Sequence, residues 1–242
     1  MTKRFRAVRI IAGVAAGVFF LWLAAMAAPS PLFPYQVHRA NVVFHSRIPL
    51  PGESITFLDE AIRRISHSPL YSRNDQYNVF LCNSSALFDA LTFGARGGGI
   101  TNPWGNVFVR PGDLRQGRVF DRQGNDRAKD RDLAYYVAHE LTHAMAFRKF
   151  GFLASYRLSA FQREGYADYV GRAAQHDFAE EKRVMAANGA EVDPKQSGLY
   201  LRYEFLVAYL LECRRMSVEE VLTKPLPQQR VEGWFRAAGT CQ

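Results

Sequence analysis

The chain has 242 residues, a formal net charge of +8, 48% apolar and 13% aromatic residues, and three cysteines. That length suits one domain with an appendage, and the apolar content excludes a disordered chain, a collagen-like repeat or a disulfide scaffold. The charge excludes less than it first suggests. Lys3, Arg4, Arg6 and Arg9 fall within the first nine residues, which leaves 27 bases against 23 acids in the rest of the chain. No basic excess remains for a nucleic-acid surface, so no nucleic-acid partner is expected.

The basic cluster leads into Ile10 to Ala28, a run without a charged residue. As a helix it spans roughly 28 Å, close to the ~30 Å hydrocarbon core of a bilayer. Four bases on its N-terminal side place that end in the cytoplasm and everything after Pro29 outside. Two readings stay open. Either the run is an uncleaved anchor, or it is a signal peptide cut after Ala27, since Ala25-Met26-Ala27 has the small-x-small pattern of a cleavage site. The chain thus divides into a cytoplasmic basic segment (1–9), an anchor or signal peptide (10–28), a proline-rich spacer (29–40) and a folded domain (41–242). The expected location is the cell membrane, single-pass, with the domain extracytoplasmic. Export implies an oxidising compartment. Cys213 with Cys241 is the disulfide to test, against the alternative that Cys82, Cys213 and Cys241 are buried thiols.

Within the domain, Ile55, Leu58, Ile62 and Ile65 stripe a helix over Ser54 to Ser66. Tyr77 to Cys82 reads as a strand, and Ser84 or Ser85 caps a short helix through Leu91. Gly94 to Gly99 is a loop. Ile100-Thr101 and Asn106 to Val109 read as two strands around an Asn-Pro-Trp-Gly turn. Pro111 to Asp130 is a solvated loop that serves either as a cover over a site or as plain surface. The period then becomes helical over Asp130 to Phe150, Ser159 to Ala174, Leu199 to Arg214, a short helix opened by a capping box at Ser217 to Glu220, and Val231 to Ala238. Strands first and helices after give an α+β class with a small mixed sheet.

The long helix carries His139-Glu140-Leu141-Thr142-His143. Residues i and i+4 stack on one face about 6 Å apart along the axis, so two imidazoles converge on one tetrahedral cation. Glu140 lies about 60° around the helix from His143, beside the metal without ligating it, and reads as the catalytic base. Leu133, Val137, Leu141 and Met145 form the opposite, apolar face. A catalytic zinc takes three protein ligands. Glu164, twenty-one residues beyond His143, reads as the third, and Asp168, again at i+4, accepts the free N–H of a ligating histidine. Gly165 permits close helix approach. Asp168 as the third ligand, or His176 as a ligand, ranks lower. A third histidine shortly after the motif is absent, since Ala146 and Lys149 occupy the places that would make it a metzincin.

His139-Glu140-x-x-His143 followed by Glu164-x-x-x-Asp168 resembles the gluzincin metallopeptidases, the thermolysin-like clan, over about residues 130–170. The resemblance implies a zincin-like fold and a Zn2+-dependent peptidase acting on a peptide or protein substrate. It also implies a sheet whose edge strand, around Ile100 to Val109, aligns the substrate above the metal. Tyr200 or Tyr203 would help to stabilise the oxyanion. The alternative is a non-catalytic zinc-binding envelope protein on the same fold.

Overall fold

The computed structural model describes residues 3–126, 131–193 and 200–238. It begins with helix α1 (Lys3–Ala27), followed by strands β1 (Tyr35–Arg39) and β2 (Val42–Ser46). Helix α2 (Ser54–Ser66), strand β3 (Tyr77–Leu81) and helix α3 (Ser85–Thr92) come next. Strands β4 (Gly99–Thr101) and β5 (Val107–Val109) complete the sheet. The rest is helical: α4 (Leu133–Phe150), α5 (Phe152–Arg157), α6 (Ala160–Arg172), α7 (Phe178–Ala187), α8 (Leu201–Ala208), α9 (Val218–Thr223) and α10 (Gln228–Ala237). Asp130 and Leu199, expected at two helix starts, and Cys241 lie outside the described residues.

The sheet is mixed, in the order β1-β2-β3-β5-β4. Strands β2, β3 and β5 run parallel, while β1 and β4 pair antiparallel at the two edges. The two-residue period of a strand sorts its side chains to two cores. Val79, Leu81, Val107 and Val109 face the main core with α2 and α4, and Phe80, Cys82 and Phe108 face a smaller core with α3.

One expectation changes here. The 29–40 stretch is packed, not a free spacer: Phe33 is fully buried against Phe80, and Tyr35–Arg39 joins the sheet as β1. Prolines at 29, 31 and 34 obscured a strand pattern that begins just after them. The apolar face of the long helix is buried as expected, and so is the rest of its middle. Every residue from Leu133 to Ala146 is buried, because α4 lies beneath the sheet with α2 and α6 against it. Asp132 caps its start by accepting from the Tyr135 N–H, and Gly151 at φ 83° ends it.

The Arg9–Ala27 stretch of α1 is long and apolar enough to cross a membrane, with mean hydropathy 2.3 and only 6% of it buried. Its end is attached to the domain. The Trp22 indole N–H donates to the Ala90 carbonyl at 2.6 Å, the Asn102 amide donates to the Met26 carbonyl at 2.9 Å, and the Asn106 amide donates to the Met26 and Ala27 carbonyls, each at 3.1 Å. Helix-terminal carbonyls lack intrahelical partners, and these asparagines supply them. Cys213 is disulfide-bonded, and Cys82 is a buried free thiol whose pKa burial pushes up to about 12.

Helix α6 carries the second half of the motif and is held by α8 at Gly165. A Cβ there would meet the Tyr203 carbonyl oxygen at 2.4 Å and its carbon at 2.7 Å, both backbone atoms that cannot rotate away. Overpacking of this kind costs about 1–3 kcal/mol. Gly165→Ala should lower the unfolding free energy by at least that much, read as a shift in denaturant midpoint, whereas Gly233→Ala, with open space around it, should not lower it.

Candidate metal centre

Helices α4 and α6 bring His139, His143 and Glu164 to one point. His139 Nε2 and His143 Nε2 lie 3.3 Å apart, and Glu164 Oε2 is 3.5 Å from the first and 3.4 Å from the second. A tetrahedral ion with bonds of about 2.0–2.1 Å holds its donors about 3.3–3.4 Å apart. The three edges therefore fit such an ion, and the three residues form a possible metal-binding triad. His176 lies outside it, in contact with Glu181 through Nδ1 at 2.7 Å and stacked on Tyr169.

Two of the three, His139 and Glu164, have a neighbour placed to orient them. Asp168 Oδ1 is 2.8 Å from His139 Nδ1, near but off the in-line hydrogen-bond direction, and it accepts the Tyr135 hydroxyl at 2.6 Å. Asp168 therefore stands behind His139 and is not a third ligand. The second Glu164 oxygen, Oε1, accepts from Arg163 Nε at 2.9 Å, which leaves Oε2 for the centre. Gly171 presses on His139: a Cβ there would come 3.3 Å from the His139 Cβ.

Glu140 sits beside the triad under β4. The Thr101 hydroxyl lies 2.9 Å from Glu140 Oε2 and 2.7 Å from the Glu140 carbonyl oxygen. Gly99 lets the strand come this close, since its Cβ would sit 2.6 Å from the Glu140 Cγ, and a Cβ on Gly98 would sit 2.3 Å from the Tyr136 ring. The glycine run of the 94–99 loop thus has a steric role. Arg110, fully buried, fixes the run from behind by donating Nε–H to the Gly97 carbonyl at 3.0 Å while pairing with Asp89. Sequence reasoning missed Thr101, Gly98, Gly99, Arg110 and Arg163. Three adjacent glycines leading into a strand were the one available signal.

The charges are mutually dependent. Burial pushes His139 down, but the Asp168 and Glu164 carboxylates outweigh it and raise its pKa to about 10. Burial alone would raise Glu164 and Asp168, yet the histidines hold Glu164 well below the usual carboxylate range, and His139, with Tyr135, holds Asp168 low as well. Glu140 is raised, with burial outweighing the histidines and Thr101. The arrangement favours a cation between the rings.

A cleft of about 420 Å³ opens over the triad. Gly97 to Thr101 line one side, and Phe147, Phe152 and Tyr156 line the other. Tyr200 lines it too, its ring centroid 6.4 Å from that of His139, and its phenol is pushed up to about 12 by burial and by Glu164. Tyr203 does not line the cleft. Among the described residues of the 111–130 loop none lines it either, and residues 127–130 lie outside the described residues.

No protein-family profile matches the chain, and neither a curated protein nor a solved structure matches it. The functional reading therefore rests on geometry.

Partners behind metal-ligating histidines are typically worth ~10–100-fold in metal affinity. Asp168→Asn should weaken zinc binding by about that factor in a chelator competition, with the thermal transition followed in parallel to confirm folding. Thr101→Val should leave zinc affinity unchanged, because Thr101 touches Glu140 and no ligand.

Proposed function

We propose that the protein is a membrane-anchored zinc metallopeptidase whose centre is of the gluzincin type on a zincin-like fold. The observation that carries this reading is the triad with tetrahedral edges and a buried carboxylate beside it. Zinc suits two imidazoles and one carboxylate, and when bound it would polarise a carbonyl and lower the pKa of water.

The chain's own residues supply the remaining chemistry. Glu140 is the general base: Thr101 holds Oε2, and Oε1 takes the proton of the attacking water and passes it to the leaving amine. Tyr200, a neutral phenol in the cleft, donates to the developing oxyanion. Strand β4 ends the sheet, and its outer edge offers an extended peptide backbone partners above the centre.

The location follows from α1. With so little of Arg9–Ala27 covered by protein, lipid is the solvent that suits it. A cut after Ala27 would remove the Met26 and Ala27 carbonyls that Asn102 and Asn106 bind, so the helix is retained as an anchor.

Loss of a positioned acid–base group costs ~10²–10⁴-fold. Glu140→Gln should bind about one zinc per chain, as the unaltered protein does, and cleave a peptide library at least a hundredfold more slowly. Zinc bound with no cleavage by the unaltered protein would instead favour a zinc-binding envelope protein.

A further inference from the structure

The end of α1 is fixed to the domain at two heights, and this determines which face of the domain meets lipid. Arg9–Ala27 spans about 28 Å as a helix, against a hydrocarbon core of about 30 Å, so a crossing uses its whole length. Ala27 then lies at the edge of the hydrocarbon, and Trp22, five residues earlier, lies about 7–8 Å deeper. Phe93 packs on Trp22 with ring centroids 3.8 Å apart, so the end of α3 shares that depth. Trp104, at the β4–β5 turn, donates its backbone N–H to Asn102 Oδ1, and the Asn102 amide binds the Met26 carbonyl, so Trp104 sits level with the helix end.

Both residues are poorly suited to water. Phe93 is 75% exposed on a left-handed cap (φ 54°), a position that glycine or asparagine usually fills, and Trp104 is 51% exposed. Phe93 joins the bare apolar surface of α1 through Trp22, and Trp104 lies by the end of that helix through Asn102.

We propose that this face, with Phe93 and Trp104 foremost, seats in the interfacial layer of the bilayer where α1 ends. The cleft then opens beside the membrane surface and acts on chain segments that lie there. The connection to the site is one peptide bond long: Thr101 holds Glu140, and its neighbour Asn102 holds the end of α1. Strand β4, about 10 Å long, runs along the side of the cleft to that attachment. This inference rests on reading α1 as a membrane span.

Nitroxide labels on the full chain, reconstituted into phosphatidylcholine–phosphatidylglycerol nanodiscs, test it. Cys82 is buried and Cys213 is bonded, and the unaltered chain taken through the same labelling gives the background from the three native cysteines. Labels go at Phe93→Cys and Trp104→Cys, with Val14→Cys as the lipid reference and Arg183→Cys, exposed on α7, as the aqueous one. Each variant is first checked for an unchanged thermal transition. The ratio of relaxation by oxygen to relaxation by a water-soluble nickel chelate should fall in the order Val14, Phe93, Trp104, Arg183. If Phe93 and Trp104 both match Arg183 while Val14 reads as lipid, the membrane face is wrong and the anchor stands. If Val14 also reads as aqueous, the anchor reading fails and this inference with it. Protection of Phe93 and Trp104 from both relaxers would mean a protein partner covers the face, which likewise overturns the proposal.

Discussion

The burial of four ionisable side chains where α4 crosses α6 governs the rest of the structure. His139, Glu140, His143 and Asp168 are all buried, and Glu164 nearly so. Isolated charges in such a place are costly, and they persist only when paired and hydrogen-bonded. The pairing demands close helix approach, which Gly171 allows against His139 and Gly165 allows against the α8 backbone. The site's electrostatics and the helices' packing are thus one constraint: Asp168 reaches His139 because α6 lies close to both α4 and α8, where Gly165 leaves no room for a Cβ and Gly171 leaves little.

A second close approach shapes the other wall. Strand β4 lies so near α4 that Gly98 and Gly99 have no room for side chains, and Thr101 bonds to Glu140 across the gap. Arg110 keeps the glycine run in place from the small core behind it. In the proposed peptidase the same strand would present its outer edge to substrate. Rigid support of this kind is what a catalytic constellation needs, since small misplacements are expensive in rate.

Much of the candidate centre was legible because its parts are local. An i,i+4 histidine pair and an i,i+4 Glu–Asp pair are helix geometry, and the helix period places them on shared faces without reference to the rest of the chain. The apolar stripe of α2, the Ser217 capping box and the Tyr77–Leu81 strand were readable for the same reason. The β1–β2 hairpin was missed: His38, Arg39, His45 and Ser46 interrupt its apolar pattern, and prolines precede it. That α4 is buried on all sides, and not only along its apolar stripe, depends on what the other elements cover.

By itself the sequence determined the ligand types, their spacing along each helix, and an N-terminal run long and apolar enough to cross a bilayer. Those are properties of covalent order and helical period. Only the tertiary structure decided that the two helices meet with donor atoms 3.3–3.5 Å apart, that Asp168 stands behind His139, and that Thr101 and a glycine strand flank Glu140. It alone fastened the end of α1 to Asn102 and Asn106. Each of these joins residues distant in the chain, and their distances are fixed by packing between elements, which no local period encodes.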